Sequence, residues 1–263
     1  MHRVIDGISV YMKGNSEHQA IVFIHGFPFD HTMWDEVTAA LADRYYCISY
    51  DIRGFGSLAV GMGQCTMERY VDDLEQLIAV LELEDPIICG FSMGGYIALR
   101  ANERFNTNFK ALILANTKTR SDNNEAKLKR AATIKGIDEE GIEPFLENFF
   151  SVAFSEDYRE KEARKIEEWE TKILYFSPTG IKGGLLAMVG RTDTTQSLNT
   201  TEIPVLLISG EEDRIISPDQ MRKMAEGIKN STFVSLDHCG HMSMLENPQG
   251  FIAALQSFLD HSL

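Results

Sequence analysis

The 263-residue chain predicts an α/β fold built on a mainly parallel sheet. Three observations carry that reading. Short apolar runs alternate with helical segments up to residue 116 and resume after 195, the strand-like signal stops between 117 and 195, and one apolar run enters a helix through a glycine-flanked serine. Alternating strand–helix units imply parallel strands joined by right-handed crossovers. The length suits one large α/β domain, 1–116 with 196–263, carrying an inserted helical cap at 117–195.

Taken in order, residues 2–12 alternate as an opening hairpin. Ala20–His25 reads as a strand, 32–43 as a helix, and 45–50 as a strand that runs into the Asp51–Gly56 loop. Residues 67–83 place Val71, Leu74, Leu77, Ile78 and Leu81 at helical spacing. A strand at 86–90, a helix to about 104 and a strand at 109–115 follow. The insertion reads as helices at 121–135, capped by Ser121 or Asp122, at 138–150, at 157–175, and from Pro178 onward. Strands return at Ile203–Gly210 and Thr232–Leu236.

The segment Gly90-Phe91-Ser92-Met93-Gly94-Gly95 follows the Ile87-Ile88 run and opens a helix. That is a nucleophile elbow, a sharp turn that lifts one serine off the sheet edge. The turn needs small neighbours two positions away, which Gly90 and Gly94 supply, and the helix N-terminus favours negative charge near Ser92. A working serine needs a base, an acid that orients the base, and an oxyanion site. The run Ile203–Gly210 ends in Glu211-Glu212-Asp213. Asp213 has the best offset past the strand, and Glu211 and Glu212 read as solvated loop charges. The last strand ends in Asp237-His238-Cys239-Gly240-His241. His241, in the loop after a glycine, is the candidate base, and His238 reads as a surface or packing histidine. Backbone N–H groups of Met93, after the nucleophile, and Phe27, after the first parallel strand, are the expected oxyanion donors. Such preorganised donors are worth roughly 3 kcal/mol each. His25 reads as a brace for its loop, and Asp51 and Arg53 as residues that tie down theirs.

His25-Gly26-Phe27-Pro28, Asp51-Ile52-Arg53-Gly54-Phe55-Gly56, the Ser92 elbow, Ser209-Gly210-Glu211-Glu212-Asp213 and Gly240-His241 span nearly the whole chain. Together they resemble the α/β-hydrolase-fold family of esterases, enol-lactone hydrolases, cofactor-free haloperoxidases and C–C bond hydrolases. The one departure is Phe55, where that loop usually carries a histidine. The resemblance implies an eight-stranded sheet flanked by helices, with the cap inserted after strand 6. It also implies a Ser92–His241–Asp213 triad. The stretch His25–Trp34, with Asp30 and Arg191-Thr192-Asp193, is similar to the 3-oxoadipate enol-lactonase branch. Ser92 as nucleophile sets the chain apart from dehalogenases and epoxide hydrolases, which use aspartate.

The expected activity is carboxylic-ester hydrolysis through an acyl-enzyme, on small, partly apolar substrates. The alternatives are enol-lactone hydrolysis, with Arg191 as the candidate cation for a dicarboxylate-derived substrate, cofactor-free perhydrolysis and C–C cleavage. Outside the enzymes, the alternative is a ligand receptor that kept the fold. Phe27, Trp34, Met93 and Trp169 are the expected substrate-binding residues. Phe145, Phe149, Phe150, Phe154, Trp169 and Tyr175 supply the cap's apolar face. The cap is expected to choose the substrate and to leave the geometry of the reacting groups to the main domain.

This chemistry requires no metal or organic cofactor, and Asp237–His241 has no partner pair at zinc spacing. The net charge of −14 argues against nucleic acid or an anionic membrane as partner. Residues 118–195 carry 13 basic and 15 acidic side chains, against 12 and 24 elsewhere, so the acidity belongs to the main domain. No run approaches the ~20 apolar residues of a membrane span. The N-terminus lacks a signal-peptide apolar region, and Cys47, Cys65, Cys89 and Cys239 form no disulfide framework. A cytoplasmic location is expected.

Overall fold

The computed structural model describes residues 1–56, 60–61, 65–104 and 109–263. Its strands are β1 (His2–Ile5), β2 (Ile8–Lys13), β3 (Ala20–Ile24), β4 (Tyr46–Tyr50), β5 (Ile87–Phe91), β6 (Ala111–Ala115), β7 (Val205–Gly210) and β8 (Ser231–Leu236). They form one eight-stranded sheet in the order β1-β2-β4-β3-β5-β6-β7-β8. The β1–β2 and β2–β4 pairs are antiparallel, and every pair from β4 through β3 to β8 is parallel. This is the expected mainly parallel sheet. β3, β5, β6 and β7 are buried along their whole length, which explains why they read as continuous apolar runs and not as alternating ones.

The helices are α1 (Asp35–Leu41), preceded by a 3-10 turn at His31–Trp34, α2 (Met67–Val80), α3 (Met93–Arg104), α4 (Asn124–Glu140), α5 (Glu143–Ala153), α6 (Glu156–Lys161), α7 (Ala163–Leu174), α8 (Pro178–Val189), α9 (Thr195–Asn199), α10 (Pro218–Glu226), α11 (Ser243–Glu246) and α12 (Pro248–Ser262). α4 to α9 lie between β6 and β7, where the strand signal stops in the sequence.

Inside the insertion the boundaries differ from the expectation. α4 starts later, because Asn123 is its N-cap and accepts from the Ala126 N–H. Asp122 is unavailable for that role, since its buried carboxylate is held by Arg130, Arg191 and Lys118. α4 then runs on through 138–140 to Gly141, whose φ of +87° ends the helix. The expected 157–175 helix breaks at Glu162 into α6 and α7. α10 and α12, for which the sequence reading placed no helices, pack on β7 and β8.

Parallel pairing aligns the strand ends that matter. Ile24 pairs with Gly90, Phe91 with Ala115, Ala115 with Ile208, and Gly210 with Leu236. The loops that follow β3, β5, β6, β7 and β8 therefore leave the same edge of the sheet, where open α/β sheets collect their sites.

Candidate active site

Ser92 follows β5 with a φ of +50°, in the left-handed region that side chains rarely adopt. Its N–H donates to Ala115 O at 2.9 Å, and its carbonyl accepts from the Thr117 hydroxyl at 2.9 Å and the Tyr96 N–H at 3.2 Å. A Cβ on Gly90 would lie 2.5 Å from Gly94 O, and one on Gly94 would lie 2.3 Å from Ile24 O. The elbow thus presses against its own helix and against β3, and only glycine permits both approaches.

His241 and Asp213 meet Ser92 from two other loops. His241 Nε2 lies 2.9 Å from Ser92 Oγ, and His241 Nδ1 lies 2.8 Å from Asp213 Oδ2. All three side chains are buried. Asp213 Oδ1 accepts from the Ile215 and Ile216 N–H groups at 2.8 and 2.9 Å. Its Oδ2 also accepts from Asn116 Nδ2 at 2.9 Å, and Asn116 Oδ1 in turn accepts from the Ser243 hydroxyl at 2.6 Å. A carboxylate accepts about four hydrogen bonds, and Asp213 receives four. Because the Asp213 carboxylate can only accept, Nδ1 carries the proton and Nε2 is the acceptor that faces Ser92 Oγ. Sequence reading missed Asn116 and Ser243. Their one signal is position, since Asn116 directly follows β6, beside the strand that leads to Asp213.

The other residues picked from the sequence fall in distinct places. Glu211 is exposed and Glu212 half-buried, and the His238 side chain projects into solvent. The Met93 and Phe27 N–H groups make no backbone hydrogen bond among the described residues. His25 is fully buried, accepts from the Ile52 N–H at 2.8 Å through Nε2, and donates to Gly26 O from Nδ1 at 2.9 Å. Burial lowers its pKa, consistent with a neutral brace for the loop that carries Phe27. Arg53 forms a bidentate pair with Asp73, and Asp51 accepts from the His31 N–H and Nδ1.

Two expectations need correction. Trp34 does not face a substrate. It is fully buried between Phe23 and Phe251, with ring centroids 5.3 and 6.0 Å away, because the Asp30-capped 3-10 turn carries it inward against α12. Arg191 is not a free pocket cation. Its guanidinium bonds Asp122 at 2.9 Å and lies over the Tyr96 ring at 4.0 Å. Trp169 stands one ring back from the Phe27 loop. It packs edge-on against Phe29 and borders a surface groove of about 630 Å³ shared with α1 and α11.

Over that loop lie Phe145 and Phe149 of α5, both half-buried, with ring centroids 5.8 and 6.4 Å from Phe27. The insertion also reaches the His241 loop. The His241 N–H donates to Ala153 O at 2.8 Å, so the insertion does not leave the geometry of the reacting groups to the main domain alone. A cavity of about 1050 Å³ bordered by Lys13, Gln19, Tyr46 and Leu83 lies at the opposite edge of the sheet, away from this chemistry.

Among the described residues, Asp30, His31 and Asp51 have metal-ligand spacing, and most of their ligand atoms are engaged, although Asp51 Oδ2 is buried with no hydrogen-bond partner. Asp30 bonds Lys172 and Thr32, and Asp51 bonds His31. Cys239 is buried, its thiol pushed up to about 12 by desolvation, and it faces Asp237 O rather than His238 or His241.

A family profile described as alpha/beta hydrolase fold matches residues 19–248. The chain belongs to the alpha/beta hydrolase fold family. Within it, the chain is 26% identical to 3-oxoadipate enol-lactonase 2 of Acinetobacter baylyi, covering 94% of this chain and 90% of that one. It is 24% identical to a pimeloyl-[acyl-carrier protein] methyl ester esterase of Nitrosomonas europaea, covering 95% and 99%. Its structure superposes on a thermophilic esterase from Thermogutta terrifontis with a TM-score of 0.91 and 30% identity, covering 99% and 97%.

Proposed function

We propose that this family member is a serine hydrolase that cleaves carboxylic esters of small, partly apolar substrates through an acyl-enzyme. The observation that carries the reading is the continuous Ser92–His241–Asp213 chain, at 2.9 and 2.8 Å, on a serine held at positive φ. Ser92 Oγ attacks the ester carbonyl carbon while His241 Nε2 takes its proton. The negative oxygen that forms lies against the Phe27 and Met93 N–H groups. Asp213 stabilises the imidazolium. The alcohol leaves with the proton from His241. Water then attacks the acyl carbon with His241 again as base, and the acid departs as Ser92 regains its proton.

Further support comes from the similarity to an esterase and a methyl ester esterase. The aromatic surface of Phe27, Phe145 and Phe149 suits uncharged acyl groups. The similarity to 3-oxoadipate enol-lactonase 2 favours a lactone as second reading. Against it stands Arg191, whose guanidinium is buried against Asp122 and the Tyr96 ring. The experiment is hydrolysis of p-nitrophenyl esters beside a panel of lactones, with fluorophosphonate labelling followed by intact mass spectrometry. Wild type should label and turn over esters, and Ser92→Ala should do neither. Equal labelling of both proteins would remove Ser92 as nucleophile.

A further inference from the structure

The loop that carries His241 is fixed by an acid that lies outside the reacting groups. Glu246, at the end of α11, accepts from the Gly240 N–H at 3.0 Å through Oε2 and from the Met242 N–H at 3.1 Å through Oε1. The same Oε2 accepts from the Ser155 N–H at 2.9 Å, in the link between α5 and α6. The one N–H between those two, on His241, goes to the O of Ala153, the last residue of α5 before that link. Three consecutive backbone donors are thus committed, two to one carboxylate and one to the insertion. The packing leaves little slack, because a Cβ on Gly240 would lie 2.7 Å from Ser155 N and 2.9 Å from Ala153 O.

We propose that Glu246 is a positioning residue for His241, and that it makes the placement of the base depend on the docked α5–α6 link. The proposal rests on the serine-hydrolase reading above. Asp213 sets the tautomer and tilt of the imidazole, but it does not hold the backbone from which the ring projects. Hydrogen bonds to a carboxylate are stronger and shorter than those to a neutral oxygen, so one side chain holds both neighbours of His241. Proton transfer between Ser92 and His241 is sensitive to displacements of about 1 Å, which cost about 10²-fold. A carboxylate that only closed the α11 turn would need the Met242 N–H alone. The bonds to Gly240 and Ser155 exceed that need.

The test uses the full chain, with Glu246→Ala, Glu246→Gln, and Glu36→Gln as the control. Glu36 borders the same groove without touching the His241 loop. Each variant is checked for folding by circular dichroism, then assayed for kcat and KM on a p-nitrophenyl ester and for the rate of fluorophosphonate labelling. Glu246→Ala should lower kcat about 10²-fold with KM within about 3-fold, and labelling should slow in parallel. Glu246→Gln should lose about 10-fold, because it keeps one oxygen for Gly240 and Ser155 but turns an amide N–H toward that of Met242. Glu36→Gln should behave as wild type. If Glu246→Ala fails to fold, Glu246→Gln decides by the same criteria. Wild-type kcat in a folded Glu246 variant, or a loss confined to KM or to thermal stability, would overturn the proposal.

The dependence on the insertion is read from Ser155, whose backbone at φ −61° and ψ 158° already accommodates proline. Ser155→Pro deletes the N–H, whereas Ser155→Ala keeps it, and both lose the hydroxyl, which caps α6 and also bonds Glu246. Ser155→Pro should lose several-fold more kcat than Ser155→Ala. Equal losses would remove the link from the proposal. A wild type that neither labels nor hydrolyses would instead overturn the serine-hydrolase reading itself.

Discussion

Ser92 holds a backbone conformation that costs on the order of 1–3 kcal/mol, and its neighbours over-determine it. Its own N–H and C=O are tied to Ala115, Thr117 and Tyr96, so the strain is carried by the sheet and α3 and leaves Oγ free for His241. Asp213 is bound just as tightly, and its four donors make a sharp prediction. Asp213→Asn must place an amide N–H either against His241 Nδ1 or against the Ile215 and Ile216 N–H groups, so kcat should fall about 10³-fold or more. His241→Ala should do the same, while Glu211→Gln and Glu212→Gln should stay within about 2-fold, because those side chains face outward. Steady-state kinetics on one p-nitrophenyl ester ranks the four variants, and a Glu212→Gln worse than Asp213→Asn would reassign the acid. Asn116→Ala should cost about 10-fold in kcat, since Asp213 Oδ2 loses a donor and the Ser243 hydroxyl an acceptor. Ser92, Asp213 and His241 were legible because each follows an apolar run at a fixed offset. Asn116 was not, because its role exists only once Ala115 pairs with Ile208 and the β6 and β7 ends lie side by side.

At the scale of elements, the segment between β6 and α4 is organised by a charge that the sequence presents as a helix cap. Asp122 is buried and held by Arg130 at 2.6 Å, Arg191 at 2.9 Å and Lys118 at 3.3 Å, which join the start of the insertion to its end. Burial opposes its ionisation, but the three cations prevail and hold its carboxyl at about 2, below the ordinary 3.8. A carboxyl lowered on folding adds stability above its unfolded value, and that stability is lost as pH falls through the folded one. The increment is about 2 kcal/mol at neutral pH, draining away between roughly pH 4 and pH 2. Asp122→Asn should therefore unfold at lower urea at pH 7 by about that much, and the gap to wild type should narrow on acidification. A gap that did not change between pH 7 and pH 3 would mean that the ion cluster is not what holds this segment. Periodicity could not reveal the arrangement, because Ser121, Asp122 and Asn123 are equally good caps. Which of them caps α4 depends on where Arg191, some seventy residues on, delivers its charge.

At the scale of the molecule, sheet and insertion divide the labour unevenly. The centre of the parallel sheet was legible, because the buried strands β3, β5, β6 and β7 are continuous apolar runs whatever surrounds them, whereas β8 is mostly half-exposed. The insertion's helices were legible only as helices. Side-chain contacts follow tertiary packing in both parts of the chain, which is why Trp34 of the main domain and Trp169 of the insertion sit in different surroundings. We propose that the insertion acts as a cap over the site and that α5 sets acyl preference through Phe145 and Phe149, the aromatics that contact Phe27 while keeping some exposure. A pocket wall discriminates by about 1–3 kcal/mol per methylene-sized contact. Phe149→Ala should therefore move the optimum toward longer chains when acetate through octanoate p-nitrophenyl esters are compared. Its Ser92 should still label with a small fluorophosphonate, because Ala153 and Ser155 keep their bonds to the base loop and to Glu246. Trp34→Ala should behave in the opposite way, losing about 3–5 kcal/mol of stability with no change in chain-length order, since it vacates core between β3 and α12. Trp169→Ala, one ring back behind Phe29, should shift preference less than Phe149→Ala. If Phe145→Ala and Phe149→Ala changed all esters by one common factor, α5 would be a structural cover, and acyl choice would have to come from the Phe27 loop itself.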